Sequence, residues 1–325
     1  MLRTVAVCIA SLAVISEQGR AQSFRSRADG VTVDVSVTSG KNEVRSLSAA
    51  DFELTDNGVR QQLLEVAREE LPLDVTLVVD VSGGGILASA VGAGVEKIRG
   101  ALTPDDRIRV VTFDDRVHEH GPLGPPASMP RVTGPQKLDA FTPSAQTSLF
   151  DATALALETR REPGRQAVVI LFSAGRDTRS KLVSSQALEL ARRADVPVFV
   201  VHARLTFQPV EPPPEGATAR PVPVDQEAVP QRFYKELAEI TGGTVQTVEP
   251  LTVRRNDSEM RSMRVRIGDP GLSEAFLRAL EDFRTSYVLR YTPRDGPWSG
   301  WHAVAVRVTK PGRYTVRARK GYFVE

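Results

Sequence analysis

The stretch Leu73-Asp-Val-Thr-Leu-Val-Val-Asp-Val-Ser-Gly-Gly-Gly85 decides the fold. Its run Val75 to Val79 is apolar on both faces, which a strand tolerates only where both sides of its sheet are covered, as in a parallel α/β sheet. Open α/β sheets build their sites at the carboxyl ends of such strands. Here that end carries a carboxylate (Asp80), a hydroxyl (Ser82) and three glycines, so any recognition chemistry is expected there.

Downstream, strand and helix patterns alternate. Leu87, Val91, Val95, Ile98 and Leu102 recur at helical spacing, and Thr103-Pro104 ends that helix. Arg107 to Phe113 reads as a strand, with Arg116 to His120 pairing back as a short antiparallel edge, and Gly121 to Pro130 as a loop. Ser148 opens a helix with Phe150, Ala154 and Leu157 inward, and Ala167 to Phe172 is a second wholly apolar strand. A helix with Ala187, Leu190, Ala191 and Ala194 on one face and a strand over Val196 to Val201 follow. Leu205 to Pro230 is crowded with prolines and reads as an exposed insertion. Helix Arg232 to Ile240, with Phe233, Leu237 and Ile240 inward, and strand Thr244 to Val248 complete the unit.

Both ends of the chain read as β structure. Val31 to Val37 alternates apolar and polar residues, Ser48-Ala-Ala-Asp51 reads as a capped turn, and Phe52-Glu-Leu-Thr55 with Gln62 to Val66 reads as a hairpin turning at Asp56-Asn-Gly58. Arg254 to Asp269 is charged and irregular, and a helix is expected from Ser273 to Phe283 with Phe276, Leu277 and Leu280 apolar. Tyr287 to Tyr291, Trp301 to Val308 and Tyr314 to Arg319 read as a meander of three strands. Neither end buries enough apolar surface to stand alone, so the two are expected to meet in one β-sandwich.

The chain has 325 residues, 25% of them charged, with a net charge of +2, which lacks the basic excess of a nucleic-acid binder. Arg3, the mostly apolar run Val5 to Ile15 and the small residue Ala21 read as a secretory signal, the run being too short for a bilayer span of about 20 residues. Cleavage near Ala21 is expected, giving a secreted or periplasmic protein with no membrane span. The only cysteine, Cys8, lies inside that signal, so disulfides are expected to play no part.

Asp80-Val-Ser82 after an apolar strand, Gln146-Thr147-Ser-Leu-Phe-Asp-Ala152 opening a helix, and Ser173-Ala-Gly-Arg-Asp177 closing another strand together resemble the von Willebrand factor type A (VWA) fold. The flanks, including Val31 to Val37, Asp51 to Gly58, Tyr287 to Pro293 and Val316 to Tyr322, are similar to the VWFA-related domain described for Acidobacteria. The resemblance implies a doubly wound, mostly parallel, Rossmann-like α/β sheet flanked by a β-sandwich of N- and C-terminal strands. The expected division is 1–21 signal, 22–70 N-terminal β unit, 71–249 VWA domain with 206–230 as its Pro-rich insertion, and 250–325 a helix plus strands packing with 22–70.

VWA domains commonly hold Mg²⁺ in a metal-ion-dependent adhesion site, and the resemblance assigns Asp80, Ser82 and Thr147 to it. Gly84 stands where a second serine belongs, and Ala174 where the third loop supplies an aspartate. One carboxylate offers little charge to a small divalent ion. Asp177 is the nearby acidic residue and is expected to face solvent or to cap the next helix. The remnant is therefore expected to hydrogen-bond the loops together without a cofactor, Mg²⁺ being the ion it would take. The expected function is non-enzymatic adhesion or scaffolding toward another protein or a surface polymer.

The rival reading is a nucleotide- or cofactor-binding enzyme on the Gly83, Gly85 and Ala88 loop, a dinucleotide fingerprint with Asp114 closing the next strand. Asp80 beside the phosphates speaks against it. His118 and His120 alternate on the edge strand and read as solvated, while His202 and His302 stand alone on strands and carry no signal.

Overall fold

The structure, a computed structural model, describes residues 30–324 except 41, 69–70, 83–84, 130–145, 174–176, 210–227, 256–263, 267–270 and 295–298. In chain order its strands are β1 (Val31–Ser39), β2 (Asn42–Glu43), β3 (Phe52–Asp56), β4 (Val59–Gln61), β5 (Leu63–Ala67), β6 (Leu73–Asp80), β7 (Arg107–Phe113), β8 (Val117–Glu119), β9 (Gln166–Ser173), β10 (Val198–Pro209), β11 (Val245–Arg255), β12 (Arg264–Arg266), β13 (Tyr287–Tyr291), β14 (Gly300–Val308), β15 (Thr315–Ala318) and β16 (Gly321–Val324). The helices are α1 (Gly85–Ala101), α2 (Leu149–Leu157), α3 (Ser184–Arg193), α4 (Ala228–Thr241) and α5 (Gly271–Arg284). No helix among the described residues is long and apolar enough to cross a membrane.

Seven strands form an α/β sheet in the order β12-β11-β10-β9-β6-β7-β8. β6 pairs parallel with both β7 and β9, and every one of its residues is buried, as an apolar strand covered on both faces should be. Two of its three polar side chains, Asp74 and Thr76, are matched within the sheet layer. Asp74, fully buried, accepts from Arg107 at 2.7 Å and Arg165 at 2.8 Å, and Thr76 bonds Thr159 at 2.9 Å. One apolar cluster joins β6, β9 and β10 to α1 and α5 through Phe172, Phe276, Phe283 and Ile98. A second joins the same sheet to α2, α3 and α4 through Leu149, Ala187, Phe233 and Tyr234.

Several elements depart from the sequence expectation. α2 buries Leu149, Ala152, Thr153, Ala156 and Leu157, while Phe150 and Ala154 are half-buried. Its face is rotated because Phe150 is drawn aside into an edge contact with Phe233, 4.8 Å between ring centroids. On α3 the alanines Ala187 and Ala191 are buried but Leu190 is 41% exposed, since small residues bring that helix close to its neighbours along a narrow stripe.

The start of the expected 205–230 insertion is strand. Leu205 to Pro209 continues β10 and pairs in parallel with Leu251 to Arg255 of β11, with a register shift after Ala203. Pro209 is tolerated as the last residue, where a missing N–H interrupts no interior rung. Residues 210–227 lie outside the described residues. Arg264–Arg266 within the segment expected to be irregular adds an antiparallel edge strand to β11. The helix expected with the C-terminal strands, α5, packs instead on the α/β sheet, its Phe276 ring 5.7 Å from Phe172.

The two ends of the chain build two antiparallel sheets, β15-β1-β13-β5 with β2 beside β1, and β16-β14-β3-β4. β1 pairs with β13 from Val31↔Tyr291 to Val35↔Tyr287, and with β15 from Val35↔Ala318 to Thr38↔Thr315. One apolar cluster lies between the sheets, with Val33, Val35, Tyr287 and Leu289 from the first and Phe52, Leu54, Val304 and Tyr322 from the second. The 3₁₀ turn Ala49–Asp51 opens at Ser48, whose N–H and Oγ both donate to Asp51 at 2.8 Å.

The hairpin partner of β3 is β4, not Gln62 to Val66. Asn57 (φ 48°) and Gly58 (φ 80°) make a two-residue turn with both centres left-handed, which fixes the register Asp56↔Val59. The chain then crosses into the other sheet as β5. The C-terminal strands are likewise no meander, because β13 and β15 lie in one sheet and β14 and β16 in the other. Their alternating patterns identify a buried face but leave open which layer that face belongs to.

Candidate functional site

In the α/β sheet the chain moves outward from β6 to β7 on one side and from β9 to β11 on the other, so its direction reverses between β6 and β9. Ligand crevices of open α/β sheets lie at that reversal, at the carboxyl ends of the strands. Asp80 and Ser173 end these two strands, and the Ser173 hydroxyl donates to Asp80 Oδ2 at 2.9 Å, bridging the reversal point. Ser82 wraps back in an Asx turn, its N–H donating to Asp80 Oδ1 at 3.0 Å and its hydroxyl at 2.6 Å. Asp80 is 1% exposed. Behind Ser173 stands Tyr234 of α4, fully buried and hydrogen-bonded to Ser173, with burial pushing its hydroxyl well above the ordinary tyrosine range. The His202 ring lies 5.2 Å from the Tyr234 ring, so this histidine is not isolated.

Thr147 lies at the mouth of α2, held there by the bond from the Ser148 N–H to the Asp114 carbonyl at 2.7 Å. Asp114 directly follows Phe113, the register partner of Asp80. The Thr147 carbonyl accepts the N–H groups of Thr178 and Arg179, both at 2.9 Å, while its Oγ1 is buried without a hydrogen-bond partner among the described residues. Gly84 and Ala174 lie outside the described residues, as does Gly83 of the dinucleotide reading.

Asp177 caps a helix, but the preceding one. Its Oδ2 accepts the Phe150 N–H in the first turn of α2 at 3.0 Å and the Ser180 hydroxyl. The exchange is reciprocal, because Asp151 of α2 accepts the N–H groups of Lys181 at 2.9 Å and Leu182 at 3.0 Å. A carboxylate at a helix N-terminus satisfies orphan donors and opposes the macrodipole. Asp177→Ala is therefore expected to destabilise the protein by about 1–2 kcal/mol in urea unfolding, with Asp177→Asn costing less. Equal, negligible losses would remove the capping role.

The donors described at this face are the carboxylate of Asp80 and the hydroxyls of Ser82, Ser173 and Thr147, of which two already donate to Asp80, while the Asp177 carboxylate is committed to the start of α2. The described residues contain no group of three or more His, Cys, Asp or Glu able to hold a metal ion. A small divalent cation gives up its water shell only for several charged oxygens in near-octahedral array, so this set does not fit a resident one. His118 and His120 each have a partner of their own. His118 faces Asp114 at 3.3 Å, and His120, near Thr112 at 2.8 Å, has its pKa lowered by partial burial and then by His118.

Ser173 and Tyr234 are the residues sequence reasoning passed over. Tyr234 heads the spacing Tyr234, Leu237, Ala238, which marks a buried face as clearly as Phe233, Leu237, Ile240. A second polar cluster lies far from this face. Asp56 accepts the hydroxyls of Tyr291 at 2.9 Å and Tyr322 at 2.7 Å and contacts His302 Nδ1 at 2.9 Å, all four residues being buried.

No family model matches the chain, and no curated protein matches it. Among solved structures, it is similar to a von Willebrand factor type A protein from Catenulispora acidiphila, at 10% identity over 92% of this chain and 75% of that one, with a TM-score of 0.41. It is also similar to proximal thread matrix protein 1 of the mussel byssus, a structure with a zinc-occupied MIDAS motif, at 15% identity, 71% and 50% coverage and a TM-score of 0.41. A third is BatB from Bacteroides thetaiotaomicron, at 12% identity, 64% and 99% coverage and a TM-score of 0.36. The chain thus spans about half the length of the mussel protein it matches.

Proposed function

We propose that this chain is an exported, non-enzymatic VWA module, its doubly wound α/β unit carried on a β-sandwich of N- and C-terminal strands. It mediates adhesion or scaffolding toward another protein or a surface polymer through the face that carries Asp80, Ser82, Thr147 and Ser173. The observation that supports this reading most is the Ser173–Asp80–Ser82 hydrogen-bonded set at the strand reversal point. It lies where the resemblance puts a metal-dependent adhesion site, and its Asp80 carboxylate already accepts two hydroxyl donors. Recognition there is then metal-independent, with the loops prearranged by hydrogen bonds.

The test is a thermal melt with and without millimolar Mg²⁺. Wild type is expected to show no shift, whereas Gly84→Ser combined with Ala174→Asp gains Mg²⁺-dependent stability of about 2.7 kcal/mol at a hundred times Kd. A wild-type gain that Asp80→Ala abolishes would overturn metal independence. The adhesion role is tested by capture on the exported protein's own cell envelope in EDTA, where loss of binding in a Ser82→Trp variant of unchanged stability is expected. Capture untouched by that variant places the binding surface elsewhere.

A further inference from the structure

Among the described residues three apolar clusters form and do not mix: two belong to the α/β unit and the third to the paired terminal sheets. Charge is what most often crosses between the units, beside the backbone bond from the Lys320 N–H to the Ile240 carbonyl. Arg161 pairs with Asp34 of β1, Arg319 with Asp195 at 2.5 Å, Arg317 with Asp282 of α5 at 3.3 Å, and Lys320 with Glu239 of α4 at 2.5 Å. The Arg193 guanidinium lies 4.2 Å from the centre of the Phe323 ring, and that of Arg192 5.7 Å from Trp301. In chain order the units are joined before β6 and after α5, where Thr285 and Ser286 lead into β13.

The boundary also holds a cavity of about 20 Å³ lined by Asp34, Arg161, Asp195 and Arg319 and, on its apolar side, by Phe199 and Phe283. That volume admits a water molecule. Asp34 Oδ1 and Arg161 Nε are buried without hydrogen-bond partners among the described residues, an acceptor and a donor at the same seam. A seam held by ion pairs around a partly polar cavity differs from a wholly apolar interface in how it responds to salt. Screening shortens the reach of charge from about 10 Å at 0.1 M to about 3 Å at 1 M, whereas apolar contacts do not weaken under the same change.

We propose that the terminal-sheet unit and the α/β unit form a salt-sensitive hinge, docked by ion pairs in place of a shared apolar core, which opens as ionic strength rises. α3 and α4 give the hinge reach. α3 follows the Asp177–Leu182 segment and α4 carries Tyr234 at its middle, and both end at the seam, at Arg192–Asp195 and at Glu239–Gly242.

One amide reports the state of the seam directly. The Lys320 N–H donates across it to the Ile240 carbonyl at 3.3 Å, while the Val304 N–H donates to the Lys320 carbonyl at 2.9 Å within the terminal-sheet unit. Hydrogen exchange of both amides is measured by NMR in the whole exported chain at 0.05 M and 1 M NaCl. The expected result is that Lys320 exchange accelerates about tenfold relative to Val304, a modest sum over four partly exposed pairs. The double variant Asp195→Asn with Glu239→Gln replaces two partly exposed carboxylates by isosteres and is expected to show the fast Lys320 exchange already at 0.05 M. Lys320 exchange that slows or stays unchanged in salt overturns the proposal, as does a change of the same size at Val304. A folded double variant that exchanges like wild type at low salt also overturns it.

Discussion

Deleting Val31–Ser39 is expected to unfold both terminal sheets while leaving the α/β unit folded. β1 is internal to its sheet, flanked by β13 and β15, so its loss strands both neighbours without a pairing partner on that side. It also removes Val33, Val35 and Val37 from the cluster between the sheets. At about 1.5–3 kcal/mol for each buried valine the loss is roughly 5–9 kcal/mol, comparable with the whole stability of an ordinary domain, about 5–15 kcal/mol. The readout is hydrogen exchange. Amides of Tyr287–Tyr291 and Thr315–Ala318 should lose protection while those of Leu73–Asp80 and Gln166–Ser173 keep it. Protected amides in Thr315–Ala318 after the deletion would show that the C-terminal strands hold together without β1.

Asp56→Ala should cost roughly 3–5 kcal/mol, the penalty for stranding several buried hydrogen-bonding groups at once. The substitution leaves the hydroxyls of Tyr291 and Tyr322 and the His302 ring without their common acceptor, and His302 Nε2 already has no partner. Burial first, and then Asp56 and the neighbouring tyrosine, holds the Tyr291 hydroxyl protonated far above the ordinary tyrosine range, so it needs an acceptor at every physiological pH. Urea unfolding should show the loss, with Tyr291→Phe costing about 1 kcal/mol because it removes a donor and leaves the carboxylate with the others. An Asp56→Ala penalty below that of Tyr291→Phe would mean that the cluster is not organised around the carboxylate.

Legibility in the sequence followed how far a residue's neighbours are local. β6 and β9 were readable almost to the residue, since two covered faces favour long apolar runs. β1 was readable from its valines, with Val33, Val35 and Val37 buried. The assignment of β5 and β15 to one sheet, and of β4 and β14 to the other, was not. A period of two states that one face is buried and is silent on which sheet lies opposite. The same limit hid the Asp56 cluster, whose members are separated by more than 230 residues in sequence before Tyr291 and 246 before His302. At the candidate site Asp80 and Ser82 were legible because their bonds are local, at i and i+2. Ser173 and Tyr234 reach the site from other elements, and Asp177 caps a helix that precedes it by 27 residues.

The pairing of Val31 with Tyr291 spans 260 positions, from 291 minus 31, and the whole α/β unit lies between them. A ribosome therefore completes Leu73–Arg284 before β13 and β15, the main partners of β1, exist. During that interval β1 is a valine-rich segment paired only at Thr38 and Ser39, with β2, and such a strand recruits other chains. Contacts at such separation are slow to form once the chain is free, because loop closure precedes any return from pairing. The order of assembly is thus written into the topology: the α/β unit closes first, and the terminal sheets close last, around a finished neighbour. A nonsense codon at Thr315 would leave β1 paired with β13 over Val31–Val35 but uncover its edge from Val35 to Thr38, so residues 315–325 protect the first strand from its own chemistry.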